Sequence, residues 1–511
     1  MAENYRALVA VLLVAIPALF LLRRPLTWVA IAPADYTARA CLWVVLTVAL
    51  FVAHSFWLFL FIASIALLAL ASRDSSLPGL YFFVLLVAPP FSALIPGVGG
   101  INYFLSIDYL RLLSLVLLLP FALRLSVHPE TPGLFRLPAD KYFIAYVGLL
   151  IALQVPLISP TDLLRTVTSQ FIDAFLPYYV FSRGLRDARQ WRDFFGSVVA
   201  SCAVVAALAV FEVAKPWLLY ANLTNVLDVR WNFGGYMFRE GSLRATVSTG
   251  HSIVLGYVMV VGLGIQLALR SWFPSGASWW AITLLLGAGL LASVSRGPWV
   301  GAAAMIAFSV AMAPKASTNL ARLSFATVIL GAIAMATPFG SKIIAVLPFI
   351  GTTDSESVIY RQQLLQVSWN VLMLNPMLGS PSFLDNAAME QLRTGEGIID
   401  IVNSYLGVAL GSGFVGLGLF VGAFATSAIR LRSGLLRVRR EEGYDDIMGR
   451  ALLGALIGAL VTIYTVSSIN VIPVIYWCLA GACAGYARRL EVIQAGEVQA
   501  KAFLSPKLRK S

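Results

Sequence analysis

The chain is poor in charge. Of its 511 residues only 12% are Asp, Glu, Lys or Arg, while 59% are hydrophobic. A soluble domain carries about 25% charged residues. A water-facing exterior for most of this chain is therefore excluded, and lipid is the solvent that fits. Cysteine is as sparse. Cys41, Cys202, Cys478 and Cys483 all lie inside apolar runs and show no metal-ligand spacing, which argues against a disulfide framework and a cysteine metal site. There is no Walker A sequence, no HExxH and no GxSxG elbow, so the chain lacks the signatures of a nucleotide-phosphate loop, a zinc protease and an α/β-hydrolase. PGVGG at 96–100 is too short for a phosphate loop and reads as a turn. No internal repeat is evident, which weighs against a transporter built from two related halves.

What is present is a succession of apolar runs. A membrane span needs about 20 mainly apolar residues. Candidates lie near 7–22, 41–54, 56–72, 79–97, 108–124, 142–158, 165–182, 194–214, 251–269, 277–294, 298–313, 323–339, 403–429, 450–468 and 470–487. The pair at 41–54 and 56–72 reads either as one long tilted span or as a tight hairpin. The expected fold is all-α, a polytopic transmembrane helical bundle of about 12–15 spans. The first run precedes Arg23 and Arg24 and shows no cleavage site, so it reads as a retained span rather than a signal peptide.

The net charge of +12 is a matter of topology rather than of nucleic-acid binding. With Arg23 and Arg24 in the cytoplasm and the runs alternating, roughly 26 basic residues fall inside and about 11 outside. That orientation places a basic C-terminal tail in the cytoplasm and two long polar segments, 215–250 and 340–402, in the periplasm. Segments of this length usually carry function or secondary structure of their own. The second contains a candidate amphipathic helix at 358–374, with Val358, Leu365, Trp369 and Leu372 on one face and Gln363, Gln366 and Asn370 on another. Such a helix lies along a membrane surface or covers a cavity. It should end at Pro376 and Gly379. Residues 1–193 then form N-terminal spans, 194–430 a core that includes both outer segments, and 431–511 C-terminal spans and tail.

Arginines in the outer segments run against the positive-inside bias. They are Arg230, Arg239 and Arg244 in the first segment, Arg296 at an outer junction between spans, and Arg361 and Arg393 in the second segment. Each has a bland alternative, pairing with a loop carboxylate such as Glu240, Glu356 or Glu396 or reaching toward headgroups. Gathered at one face, they suit an anionic substrate, since the guanidinium binds phosphate oxygens bidentately. Glu212 and Asp173 are carboxylates within spans, either substrate-binding or internally paired, with Arg165 the available partner.

Four segments in order carry a resemblance: LRATVSTGHSIVLGYVM, SVSRGPWVGAAAM, RQQLLQVSWNVLMLNPMLGSP and IIDIVNSYLGVALGSGFVGLGLF. Together they resemble the O-antigen ligase/polymerase family across roughly residues 230–430. REGSLRA and DIVNSYL look closer to its exopolysaccharide polymerases than to its ligases. The resemblance implies a metal-independent, inverting glycosyltransferase without cofactor in the bacterial inner membrane, acting on undecaprenyl-pyrophosphate-linked oligosaccharide at the periplasmic face. Membrane lipids, a chain-length regulator and other polysaccharide synthesis or export proteins are the implied partners, with no nucleic acid. It implies that Arg244 and Arg296, with Arg361 as a third candidate, hold the pyrophosphate.

Where the family's ligases have histidine before the Asn of their HNxxL motif, this chain has Val402. Valine accepts no proton, so a base must come from elsewhere: Asp400 or His251 are the candidates, with His54 a further outer histidine and His128 excluded as cytoplasmic. Asn403 and Tyr405 are candidates for orienting the acceptor. The alternatives to a repeat-unit polymerase are a ligase that transfers glycan to lipid A core or protein and, in another class, a flippase or exporter of lipid-linked sugars.

Overall fold

The computed structural model describes residues 2–99, 101–229, 235–239, 241–273, 275–313, 316–336, 355–393, 397–438 and 444–504. Arg230, Glu240 and Glu396, and the side chains of Glu356 and Val358, lie outside the described residues.

Helices dominate, as the apolar runs require. The first half comprises α1 (Ala2–Val29), α2 (Pro33–Val52), α3 (Phe56–Ala71), α4 (Leu77–Val84), the strands β1 (Ser92–Pro96) and β2 (Tyr103–Asp108), α5 (Tyr109–Leu113), α6 (Leu119–Val127), α7 (Pro138–Gln154), α8 (Pro160–Gln170), α9 (Leu176–Arg183) and α10 (Ala188–Ala214). The second half comprises α11 (Leu223–Val226), the two-residue strands β3 (Phe238–Arg239) and β4 (Ser242–Leu243), α12 (Ser252–Ala268), α13 (Gly276–Ala292), α14 (Arg296–Met312), α15 (Ala316–Ala336), α16 (Ser355–Leu374), α17 (Ala387–Glu390), α18 (Ser404–Val438), α19 (Tyr444–Tyr464) and α20 (Ile472–Leu504). Among the described residues six helices are long and apolar enough to cross a membrane, and three more apolar helices are shorter. The protein is an all-α, polytopic helical bundle. The two runs at 41–54 and 56–72 form a hairpin of two helices, joined by residues 53–55.

One expected span is not a helix throughout. Within 79–97, α4 stops at Val84, residues 85–91 follow as a buried irregular stretch, and β1 begins at Ser92. Pro89 and Pro90 explain the stop, because a proline disfavours the helical conformation of the residue before it and donates no N–H. β1 and β2 then pair antiparallel from Ser92–Asp108 to Pro96–Tyr103.

The bundle centres on α10, which packs against α1, α4, α12 and α13. Close approach elsewhere relies on small residues, as in membrane helices generally. A Cβ on Gly481 would lie 2.4 Å from the Tyr178 carbonyl oxygen, and one on Gly485 2.7 Å from that of Ser182. This GxxxG pair seats α20 on α9. Two buried ion networks stitch helices together. Arg39 bonds Asp74 at 2.6 Å and Asp193 at 2.8 Å, and Arg183 bonds Asp140 at 2.6 Å.

Residues of α16 and of the stretch that follows it build a small second core with the start of α18. Leu364, Val367 and Val371 of α16, spaced three and four residues apart, pack with Met389, Leu392, Ala409 and Leu410. The buried stripe is thus not the expected one. Leu365 and Trp369 are 60% and 53% exposed, and of the anticipated apolar face Leu372 is buried. The helix is apolar on two sides, so periodicity alone did not say which side meets protein. It ends at Leu374, as Pro376 and Gly379 demand.

Candidate functional site

A cavity of about 1400 Å³ opens where the central helices meet the second core. Its lining includes Arg244, His251, Asp400 and Asn403 of the residues singled out above. Arg296, Arg361 and Tyr405 are not part of that lining.

Arg244 follows β4, in a stretch tied down on both sides. Its N–H bonds the Met237 carbonyl at 2.9 Å, and the Ala245 N–H bonds the Ala292 carbonyl at 3.0 Å. Glu212, fully buried near the end of α10, is the anchor beneath. One carboxylate oxygen accepts the Leu219 N–H at 2.9 Å, and the other accepts those of Thr246 and Val247 at 2.9 and 3.0 Å. The span carboxylate flagged by sequence is therefore a positioning residue that joins both ends of segment 215–250. The Arg244 guanidinium donates Nη2–H to the Ser295 hydroxyl at 3.0 Å. Arg296 is the next residue and opens α14, half-buried behind Ser295. Arg361 is exposed on α16. Backbone strain gathers here: Val247 and Val294 have φ of 47° and 43°, and Asn470, on the cavity wall, 52°. For a β-branched residue this is an outlier, persisting only where the surroundings over-determine it.

His251 caps α12, its Nδ1 accepting the Ile253 N–H at 3.2 Å. Burial, and the Arg244 guanidinium beside it, push the imidazole down to about 4. The ring is therefore neutral near pH 7, and with Nδ1 accepting it carries its proton on Nε2. In this tautomer His251 is suited to donate a hydrogen bond into the cavity. The shift has a consequence for stability. Between pH 6.5 and 4 the unfolded chain binds this proton and the folded chain does not. Stability is thus full above the unfolded value and declines as pH falls toward 4. His251→Asn keeps a capping side chain and removes that slope. The melting temperature of the detergent-purified protein should fall more between about pH 7 and pH 5 in wild type than in the variant. Equal slopes would contradict a neutral His251 ring.

Asp400 stands at the entry to α18. Its Oδ1 accepts the Ser467 hydroxyl at 2.6 Å, and its Oδ2 has no hydrogen bond among the described residues. α16 does not line the cavity but holds this residue in place. The Tyr360 hydroxyl donates to the Asp400 carbonyl at 3.0 Å and accepts the Asp400 N–H at 3.2 Å. Asn403 caps α18 through Oδ1, which accepts the N–H groups of Tyr405 and Leu406 at 2.9 and 3.2 Å. Its amide protons make no bond among the described residues. The Tyr405 hydroxyl instead donates to the Leu460 carbonyl at 3.0 Å, and its ring packs on Phe420 and Tyr464. His54 is exposed at the turn between α2 and α3, outside the lining, and His128 lies beside Arg186.

Sequence reasoning missed Asp108 and Arg111, both in the lining. It also left Asp173 without its partner. Asp173 pairs with Arg111 at 2.7 Å, whereas Arg165 pairs with Asp162. One signal was available. Pro120 and Pro177 each lie inside an apolar helical run, and each follows a π-helical turn, Ser114–Leu118 and Phe171–Phe175. A proline that must find room for its ring and missing N–H widens or kinks a helix, and such π turns recur at functional sites.

Residues 281–421 match the family model described as O-antigen ligase. The comparison with curated proteins gives no match.

Proposed function

We propose that this chain is a glycan-assembly protein of the O-antigen ligase/polymerase family, a reading supported by the match over residues 281–421, and that it polymerises undecaprenyl-pyrophosphate-linked repeat units at the periplasmic face. The observation that carries this reading is the meeting of Arg244, His251, Asp400 and Asn403 on one cavity of about 1400 Å³. That volume exceeds the roughly 300–1,000 Å³ of a site for one small ligand, and it suits two glycans at once.

The reaction is a single displacement with inversion. An acceptor hydroxyl attacks the anomeric carbon of the donor glycan, a new C–O bond forms, and the bond to the pyrophosphate oxygen breaks with its electron pair. Arg244 faces the departing pyrophosphate, and His251 adds its Nε2–H. Preorganised donors of this kind act where charge develops. Asp400 takes the acceptor proton, standing in for the histidine that Val402 replaces. The Asn403 amide orients the acceptor. Arg296 supports Arg244 from behind Ser295. Burial between α18, α19 and the second core keeps bulk water from competing for the donor. REGSLRA and DIVNSYL favour a polymerase over a ligase.

The test is a glycan profile of cells lacking the protein, complemented with wild type or with Asp400→Asn. The isosteric amide cannot take a proton, and polymer formation should drop about 10²–10⁴-fold with protein level unchanged. Single lipid-linked repeats should accumulate. Long lipid-linked polymer left untransferred would instead make the protein a ligase, and repeats trapped on the cytoplasmic face would make it a transporter.

A further inference from the structure

A second set of charges lines the cavity, outside the stretch that matches the family model. It is built on the paired π turns. Arg111 stands one turn before the first, and its Nε bonds both oxygens of Asp173 at 3.1 Å. Its Nη2 bonds Asp173 Oδ2 at 2.7 Å, and its Nη1 donates to the Ser106 carbonyl. Asp173 lies within the second π turn. Asp108 ends β2 and caps α5, its Oδ1 accepting the Arg111 N–H at 2.8 Å. Burial pushes the Asp108 carboxyl up to about 6, against the pull of the Arg111 N–H and guanidinium.

A helix-clamping salt bridge does not account for this set. Serine or asparagine caps a helix as well as aspartate, so capping does not require a second carboxylate in a confined place. The pair is also not sealed: the Arg111 and Asp173 side chains are 17% and 34% exposed. Two carboxylates and one guanidinium leave a net negative cluster in a cavity whose lining also holds the aromatic rings of Tyr146 and Trp477. Carboxylate oxygens only accept and a guanidinium only donates, so together they match the donor and acceptor faces of neighbouring hydroxyls. Aromatic rings supply the flat apolar surface on which a pyranose rests.

We propose that Asp108, Arg111 and Asp173 form the acceptor-sugar subsite, binding the hydroxyls of a neutral pyranoside at the non-reducing end of the incoming repeat. The net negative charge selects against a uronic acid there. This rests on the transfer reading above, and it adds the residues that choose the acceptor.

The test uses the full-length protein in lipid nanodiscs and the producing strain's own repeat-unit oligosaccharide, released from its lipid carrier and freed of phosphate, with titration calorimetry as readout. Wild type binds, and Arg361→Ala, exposed and outside the cavity lining, binds alike. Asp108→Asn, which preserves the cap, weakens binding about tenfold, as does Asp173→Asn, the loss expected of a hydrogen bond to a charged group. The charge-swapped Arg111→Asp/Asp173→Arg variant, which restores an ion pair between the helices, fails to bind. Wild-type affinity in Asp108→Asn, recovery in the charge swap, or no binding by wild type overturns the subsite. Should the binding pattern hold while Arg244→Ala cells make normal polymer, the transfer reading fails and the glycan site stands.

Discussion

Arg244→Ala lowers the rate of polymer formation by about 10²–10³-fold, the effect of removing one preorganised donor from a leaving group that gains charge. The protein should still reach the membrane at its normal level. The side chain bonds the Ser295 hydroxyl, and the local backbone is held independently by Glu212 and by the Ala245–Ala292 bond. Arg244→Lys should recover only part of the rate, because an ammonium keeps the charge and loses the planar fork. Arg361→Ala, on an exposed face of α16, should cost far less. The check is the length distribution of released glycan at matched membrane protein levels. Normal chain length in Arg244→Ala would remove this residue from the site.

Gly413→Ala abolishes folded protein. α18 breaks at Gly413, with φ 65° and ψ −171°, a region that only glycine occupies without strain. The turn after α16 enters the break. Phe414 and Val415 donate their N–H groups to the carbonyls of Pro376 and Met377 at 2.8 and 3.1 Å, and the Ser380 N–H reaches the Leu410 carbonyl at 2.8 Å. The backbones approach so closely that a Cβ on Gly413 would lie 2.2 Å from the Met377 carbonyl. Gly379 faces the same constraint from the other side: its φ is 61°, and a Cβ there would lie 2.5 Å from the Gly413 nitrogen. Backbone strain and a steric clash together place the cost above about 4 kcal/mol, among the largest of single substitutions. Gly418→Ala is the control, since a Cβ there meets nothing, and in a helix it should be neutral or stabilising by up to about 1 kcal/mol. The measurement is the amount and melting temperature of each variant in detergent. A Gly413→Ala protein as stable as the control would show that the turn does not brace the helix.

Both predictions concern places where sequence and structure contributed differently. Arg244 was legible as an arginine on the wrong side of the charge bias, but so were Arg296 and Arg361. Which one faces a cavity depends on how β4 docks against the 292–295 turn, a contact between stretches about 50 residues apart in the chain. Pro376 and Gly379 were legible as a helix stop. That the stop plugs a break in α18 was not, because Gly413 sits in a glycine-rich run where no single glycine stands out.

Composition and apolar spacing alone determined that this chain is a helical membrane protein, and roughly where most of its helices lie. Each property is set by residues within a few turns of one another: an apolar run chooses lipid, a proline pair halts α4, an Asn opens α18. The sequence motifs also placed Asp400 and Asn403 together, three residues apart. Tertiary structure alone decided the rest. It joined Arg111 to Asp173 across 62 residues, set the half-buried His251 beside Arg244, and chose which apolar side of α16 meets protein. These depend on packing and on the electric field and desolvation that packing creates, and neither is encoded in the order of neighbouring residues.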